Sequence, residues 1–282
     1  MRSSSFGLVL FLVLSGSACR IEPKAQNIFE DDSVPAQTAT RDWNGEAITI
    51  RNEGMDDGVN DRAELGGIEL RVSAAATRVS VEAVFAAHAD PDKGGNAGLS
   101  IADAKKTLAI TETATSFDVT CGHGDTHGTS RAAGSGCKIL RVTIPVGTAA
   151  QPHALVVVSG SGFVRVGLAD APPYVGALRV ENKGIDAIEV RVRPVKDAML
   201  TIAGENAVAL AVPAEFSARS VVFSLAEATS SEIAPDFVTT DFAGMTSGAA
   251  YPVSGPTADA IRELTIASKG PLAAATIRIS KL

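Results

Sequence analysis

Aromatic residues are scarce in this chain. They make up 5% of its 282 residues, and there is one tryptophan, Trp43. A sugar-binding cleft walled by stacked rings is therefore hard to build. Positive charge is also short: Lys and Arg number 25 against 32 Asp and Glu, a formal charge of −7. That excludes the clustered basic face that nucleic acid calls for, and docking by charge on anionic lipid. No run reaches 18 apolar residues, so no segment has the length of a transmembrane helix. Cysteine is rare, with Cys19, Cys121 and Cys137 alone. What the chain does have is 45% apolar residues and 26 glycines. The first can fill an interior, and the second suits thin, repetitive β layers.

The N-terminus reads as an address. Arg2 supplies a positive start, Phe6 to Leu14 form an apolar stretch of signal-peptide length, and Ser15, Gly16, Ser17 and Ala18 lead to Cys19. This resembles the lipobox of bacterial lipoproteins, in which the cysteine after the cleavage point is lipidated, although Gly16 stands where leucine is usual. The expectation is a signal peptide over 1–18 and a lipidated, flexible tether over 19–42, rich in Gln, Asp, Ser, Pro and Thr. Arg20 is not the aspartate that commonly retains lipoproteins at the inner membrane. The outer membrane, on its periplasmic or surface side, is thus the expected location.

With Cys19 assigned to lipid, Cys121 and Cys137 remain as an even pair in an oxidising compartment. They flank a Gly-rich loop between two strand-like runs, so a disulfide closing a hairpin loop is expected, worth about 3 kcal/mol for a loop of this size. The competing reading is a metal site made of Cys121, His123, His127 and Cys137 with Asp125 between the histidines. Its spacing matches no established pattern, and the loop's glycines are a poor scaffold for fixed ligands. Asp90, Asp92 and Asn96 imitate the front of a calcium loop, but Ile101 stands where the bidentate glutamate belongs. No cofactor and no metal are expected.

Period-two alternation marks strands at Ala47–Arg51, Gly67–Ser73, Arg78–Phe85, Ser116–Thr120 and Ile139–Ile144. Ser100 to Leu108 is the one stretch with helical character, with Ser100 as the expected cap. Beyond Pro145 a weak repeat of about 22 residues sets in. Leu155-Val-Val-Val-Ser-Gly-Ser-Gly162, Leu178-Arg-Val-Glu-Asn-Lys-Gly184 and Leu200-Thr-Ile-Ala-Gly-Glu-Asn206 share one plan of alternating run, turn and second run. A fourth turn, Ala267-Ser-Lys-Gly270, lies about three periods on. Such a period predicts stacked units that bury their apolar faces against one another. Leu155, Val157, Leu178, Val180, Leu200, Ile202, Leu264 and Ile266 should point inward, and Arg179, Thr201 and Thr265 outward. Gly160 and Gly162 are expected to supply corner angles closed to other residues.

At Val156-Val-Val-Ser-Gly-Ser-Gly-Phe-Val-Arg-Val the sequence resembles the putative adhesin family of bacterial cell-envelope proteins. Leu140-Arg-Val-Thr-Ile-Pro-Val-Gly and Val208-Ala-Leu-Ala-Val-Pro are similar to strands of that family. The resemblance runs from about Gly67 to the C-terminus. It implies an all-β protein, a parallel β-solenoid over 146–282 behind an N-terminal β region over 43–145. It carries over no catalytic residues.

The function expected is a lipid-anchored envelope protein with a structural or adhesive role. Its partners would be the membrane, through the anchor, and an envelope or surface protein or glycan. An enzyme of the carbohydrate-active β-helix type needs paired acids at controlled separation. The repeat strands offer Arg165, Arg179, Arg191 and Arg193 instead. His123, Asp125 and Ser130 match a triad by type but share one loop without a nucleophile elbow. A small-ligand or metal-binding lipoprotein using the Cys121–Cys137 loop is the other alternative.

Overall fold

The computed structural model describes residues 28–54, 66–89, 96–124, 133–169, 171–184, 186–225, 230–233, 250–252, 259–268 and 276–282. Its first part comprises β1 (Ile28–Ser33), β2 (Gln37–Thr38), β3 (Ala47–Asn52), β4 (Gly67–Ser73), β5 (Ser80–Ala89), α1 (Ala97–Lys105), β6 (Ala109–Glu112), β7 (Ser116–Cys121) and β8 (Ala133–Pro145). Then come β9 (His153–Ser159), β10 (Val164–Ala169), β11 (Tyr174–Asn182), β12 (Ile188–Arg191), β13 (Arg193–Gly204) and β14 (Val208–Val212). The last are β15 (Ser220–Leu225), β16 (Ser230–Ile233), β17 (Ala250–Pro252), β18 (Glu263–Ser268) and β19 (Thr276–Lys281). The alternating runs of the sequence became strands almost residue for residue, because only a pleated strand puts every second side chain on one face.

The protein is all-β with one short helix, and both sheets are mixed. Sheet I runs β1-β5-β8-β4-β10-β12-β14-β19-β16, with β2 also on β5. Sheet II runs β17-β15-β18-β13-β11-β9-β3-β7-β6. From β7 to β16 the chain alternates between the sheets, so β9 is followed across a corner by β10, β11 by β12 and β13 by β14. Neighbours in this central part pair in parallel. Antiparallel pairing is confined to the flanks, where β1, β2 and β8 meet β5, β6 meets β7 and β17 meets β15.

Register explains the core. In sheet II, Phe117, Ile48, Leu155, Leu178, Leu200, Leu264 and Val221 form one row, with Val119, Ile50, Val157, Val180, Ile202 and Ile266 beside it. In sheet I, Val81, Val142, Leu70, Val166, Val190, Leu210 and Ile279 form the facing row. All of these are buried. The eight residues expected inward lie in the core, while Arg179 is exposed and Thr201 and Thr265 half-exposed. At the β5/β8 flank Ile101, Ala104 and Leu108 of α1 and the turn after it close the core. The helix is capped by Asn96, whose Oδ1 accepts from the Leu99 amide at 3.0 Å. Ser100, the expected cap, lies inside the helix and donates to Asn96 O.

Four expectations need correction. A regular parallel solenoid confined to 146–282 is not what forms: the sheets are mixed and run through the expected boundary, since β3 pairs with β9 and β4 with β10. Turns do not stack in chain order either. The β3/β4 turn lies between β7/β8 and β9/β10, and β18/β19 lies between β13/β14 and β15/β16. The 64-residue gap before the fourth repeat turn is therefore a single step in space, with Ser268 directly beside Gly204. The expected tether is shortened, because β1 and β2 from within 19–42 pair with β5, and Ala39 is buried. Finally, Cys121 and Cys137 are joined, but β7 and β8 belong to different sheets. The disulfide ties layer to layer instead of closing a two-stranded hairpin; beyond it one antiparallel bridge links His123 to Gly136.

Candidate functional site

The coil has two long corners, and they differ in chemistry. At the first, the chain passes from sheet II to sheet I. The last inward position of each strand there carries a small or polar residue: Cys121, Asn52, Ser159, Asn182, Gly204 and Ser268 succeed one another. Asn52 Nδ2 donates to Gly67 O at 3.0 Å and Cys137 O at 3.2 Å, and its Oδ1 accepts from the Gly54 amide. Ser159 Oγ donates to Gly66 O at 2.9 Å. Asn182 donates to Asp186 O and accepts from the Gly184 amide, and Ser268 donates to Asn206 O. Each buried side chain satisfies corner backbone that no strand partner reaches. The Cys121–Cys137 bridge is the covalent member of this row.

Gly54 and Gly66 at this corner hold φ of 80° and 98°, whereas Gly160, Gly162 and Gly184 answer to crowding. A Cβ on Gly160 would stand 2.3 Å from Glu53 O, one on Gly162 2.3 Å from Gly67 N, and one on Gly184 1.9 Å from Ser161 O. None of the three has a positive φ, so the expected role in corner angles gives way to close approach of neighbouring turns. Beside these packed glycines a shallow cavity of about 440 Å³ opens, lined by Lys138, Ile139, Phe163, Arg165, Asp186 and Ala187.

The second corner, from sheet I back to sheet II, is chemically mixed. Its seven-residue link 146–152 carries β8 into β9 past the lead-in to β3. Trp43 from that lead-in lies on His153, ring centroids 4.1 Å apart, and donates Nε1–H to Glu46 O. His153 Nε2 is 2.8 Å from Pro145 O, which fixes its proton there, as a carbonyl can only accept. Burial pushes the His153 pKa down to about 4, partly opposed by the carbonyls of Pro145 and Val146. Arg41 pairs with Glu46 at 3.0 Å and lies over the Phe117 ring. Glu112 accepts from the Thr40 amide and hydroxyl, which hold its carboxyl below the ordinary value. These contacts describe a staple under the crossing, in which Arg41 Nη2 and His153 Nδ1 are buried without a hydrogen-bond partner.

Farther along the same corner lies an open cleft of about 410 Å³ lined by Tyr174, Pro194, Lys196, Pro213, Glu215, Phe216 and Asp259 among others. It combines ring and proline surface with one cation and two carboxylates, all three charged groups exposed. Arg193 extends over the Tyr174 ring beside it. The cleft is close in size to the cavity at the first corner and differs from it in its two prolines and two exposed carboxylates. Sequence reasoning missed the cleft, because its residues come from five separated stretches, 149, 174, 194–196, 213–217 and 259–261.

Other expected site residues fall as follows. Cys121 and Cys137 hold each other, so neither offers a thiolate to a metal. His123 is half-exposed, its Nδ1 3.7 Å from Glu53. Asp125, His127 and Ser130 lie outside the described residues, as do Cys19, Asp90 and Asp92. Of the repeat arginines, Arg165 pairs with Glu189 and Arg179 with Glu181, while Arg193 lies over Tyr174; in β8, Arg141 pairs with Glu69. Across sheet I, Glu82, Arg141, Glu69, Arg165 and Glu189 alternate in sign along one row.

No family model matches the chain, and no curated protein matches it. It is similar to a solved structure from Clostridium sporogenes titled a putative cell adhesion protein, at 10% identity and a TM-score of 0.46. The match covers 91% of this chain and 100% of that one.

Proposed function

We propose that this protein is a lipid-anchored cell-envelope protein of the adhesin type, a non-enzymatic β scaffold whose central turns are solenoid-like and whose proline-lined corner meets a partner. The observation that carries the reading is the cleft at the second corner, where Tyr174, proline and charge stand on links held by two sheets. Such a surface is suited to recognition, since binding groups act best when held by a fixed frame. The signal-like N-terminus and Cys19 support export and anchoring at the outer membrane, and the oxidised Cys121–Cys137 pair is consistent with that compartment.

Two arms test the proposal. In cells, Cys19→Ala should move the protein from the detergent phase to the aqueous phase; unchanged partitioning would remove the anchor from the reading. Tyr174→Ser together with Lys196→Glu should lower recovery of cross-linked envelope or surface partners at least several-fold with melting unchanged. Equal recovery would place any binding elsewhere.

A second reading has one observation in its favour. Glu215 and Asp259 share the cleft, as a carbohydrate-active enzyme would require. Both carboxyls are exposed, whereas a general acid is kept protonated by burial or a like charge. Release of reducing ends from envelope polysaccharide, lost in Glu215→Gln and Asp259→Asn, would establish it.

A further inference from the structure

β18 and β19 come last in chain order, yet each lies inside its sheet. β18 stands between β13 and β15, and β19 between β14 and β16. Both walls of that position are made by earlier chain. Among the described residues β16 pairs with β19 alone, and β15 pairs otherwise with the short antiparallel β17. Among the described residues the outermost turn is thus hydrogen-bonded to its neighbours through β18 and β19, the two strands of an arch with the lead-in 259–262.

The arch fits its place closely. Leu264 lies between Leu200 and Val221, and Ile277 and Ile279 lie against Val208 and Leu210, all buried. Its lead-in is clasped by the link that carries β14 to β15: Ile261 N donates to Ser217 O at 2.9 Å, and Arg219 N to Ile261 O at 3.0 Å. Without the arch, two apolar strand edges would face each other in each sheet about 9.6 Å apart, twice the strand spacing. Such edges are templates for an incoming strand.

We propose that this position is a strand-accepting slot and that residues 259–282 are an exchangeable keystone, supplied either by the same chain or by a second copy. Every copy carries both the slot and the segment shaped to it, so mutual exchange keeps every pairing and every buried side chain. That is the condition under which swapped assembly costs least. The result is an envelope protein able to link copy to copy through its own fold.

Thr201 and Thr265 are register partners and report on whose arch fills whose slot. Full chain carrying Thr201→Cys and full chain carrying Thr265→Cys are unfolded together in urea, refolded at high concentration and oxidised. Exchange predicts a dimer in which the peptide containing position 201 is joined to that containing 265, at least ten-fold above samples refolded apart and then mixed. If the chain bearing both substitutions closes internally but the mixture gives no such product, the proposal is wrong. Should the double variant not close, light scattering of the refolded wild type decides. Dimers that persist on dilution and revert only through unfolding support exchange; monomer throughout, or dimers that part on dilution, overturns it.

Discussion

At the scale of single residues, position in the pleat decides the consequence of a change. Leu200 is 1% exposed, and its neighbour Thr201 is on the outer face beside Arg179. Leu200→Asp puts an unpaired carboxylate between Leu178 and Leu264 and should cost upwards of about 3 kcal/mol. Thr201→Asp should stay within about 0.5 kcal/mol. Urea titrations of both separate these outcomes, and equal tolerance would contradict the inward row. His153 sets an acid sensitivity. Its folded pKa of about 4 lies below the 6.5 of an exposed histidine, so between those values the unfolded chain binds the extra proton. Stability from this residue is full above pH 6.5 and falls toward pH 4, by about 1.4 kcal/mol per pH unit at most. Unfolding free energy measured across that window should drop, and His153→Gln should flatten the slope. An unaltered slope in the variant would assign the acid response to other groups.

The strand element of this protein is best understood with its corner. Three strands end their inward alternation on a residue whose side chain grips the turn, Ile48-x-Ile50-x-Asn52, Leu155-x-Val157-x-Ser159 and Leu178-x-Val180-x-Asn182, while β13 ends on Gly204. The cystine does covalently at β7 what Asn52 does by hydrogen bonds at β3. Because it closes 16 residues of sequence separation between two sheets, the double variant Cys121→Ala, Cys137→Ala should lose about 3 kcal/mol. Thermal unfolding with and without reductant reads this out in the wild type; a reduced protein as stable as the oxidised one would make the bridge incidental.

For the whole molecule, neighbour-to-neighbour stacking means that a central turn is removable while an inserted one is not. Deleting 178–199 joins Ala177 to Leu200 and leaves β9 facing a hybrid strand in its old register, with β10 beside β14. A cooperative transition should remain, with a smaller urea slope because less surface is exposed on unfolding. Circular dichroism and urea titration check this, and loss of cooperativity would show that the turns are not interchangeable. The charge row across sheet I contributes little by comparison. Exposed pairs such as Arg165 with Glu189 are worth a fraction of a kcal/mol.

The amino-acid sequence determined the local and the periodic. Alternation located most of the strands and their inward faces, since a period of two has one structural meaning once turns punctuate it. With Cys19 read as a lipidation site, the two remaining cysteines pointed to each other. Polar residues closing each alternation were legible too, as the next inward position after Ile50, Val157 and Val180, though their role was not. Stacking order was decided only in three dimensions. One parallel neighbour offers a strand the same hydrogen bonds as another, so nothing local states that β3 lies between β7 and β9, or that β18 slips in beside β13. The cleft follows from that order, because Tyr174, Lys196, Glu215 and Asp259 meet only after the links at the second corner have crossed their neighbours. Tertiary packing likewise gave Gly160 and Gly184 a role in clearance, as the ångströms there are set by the turn next door.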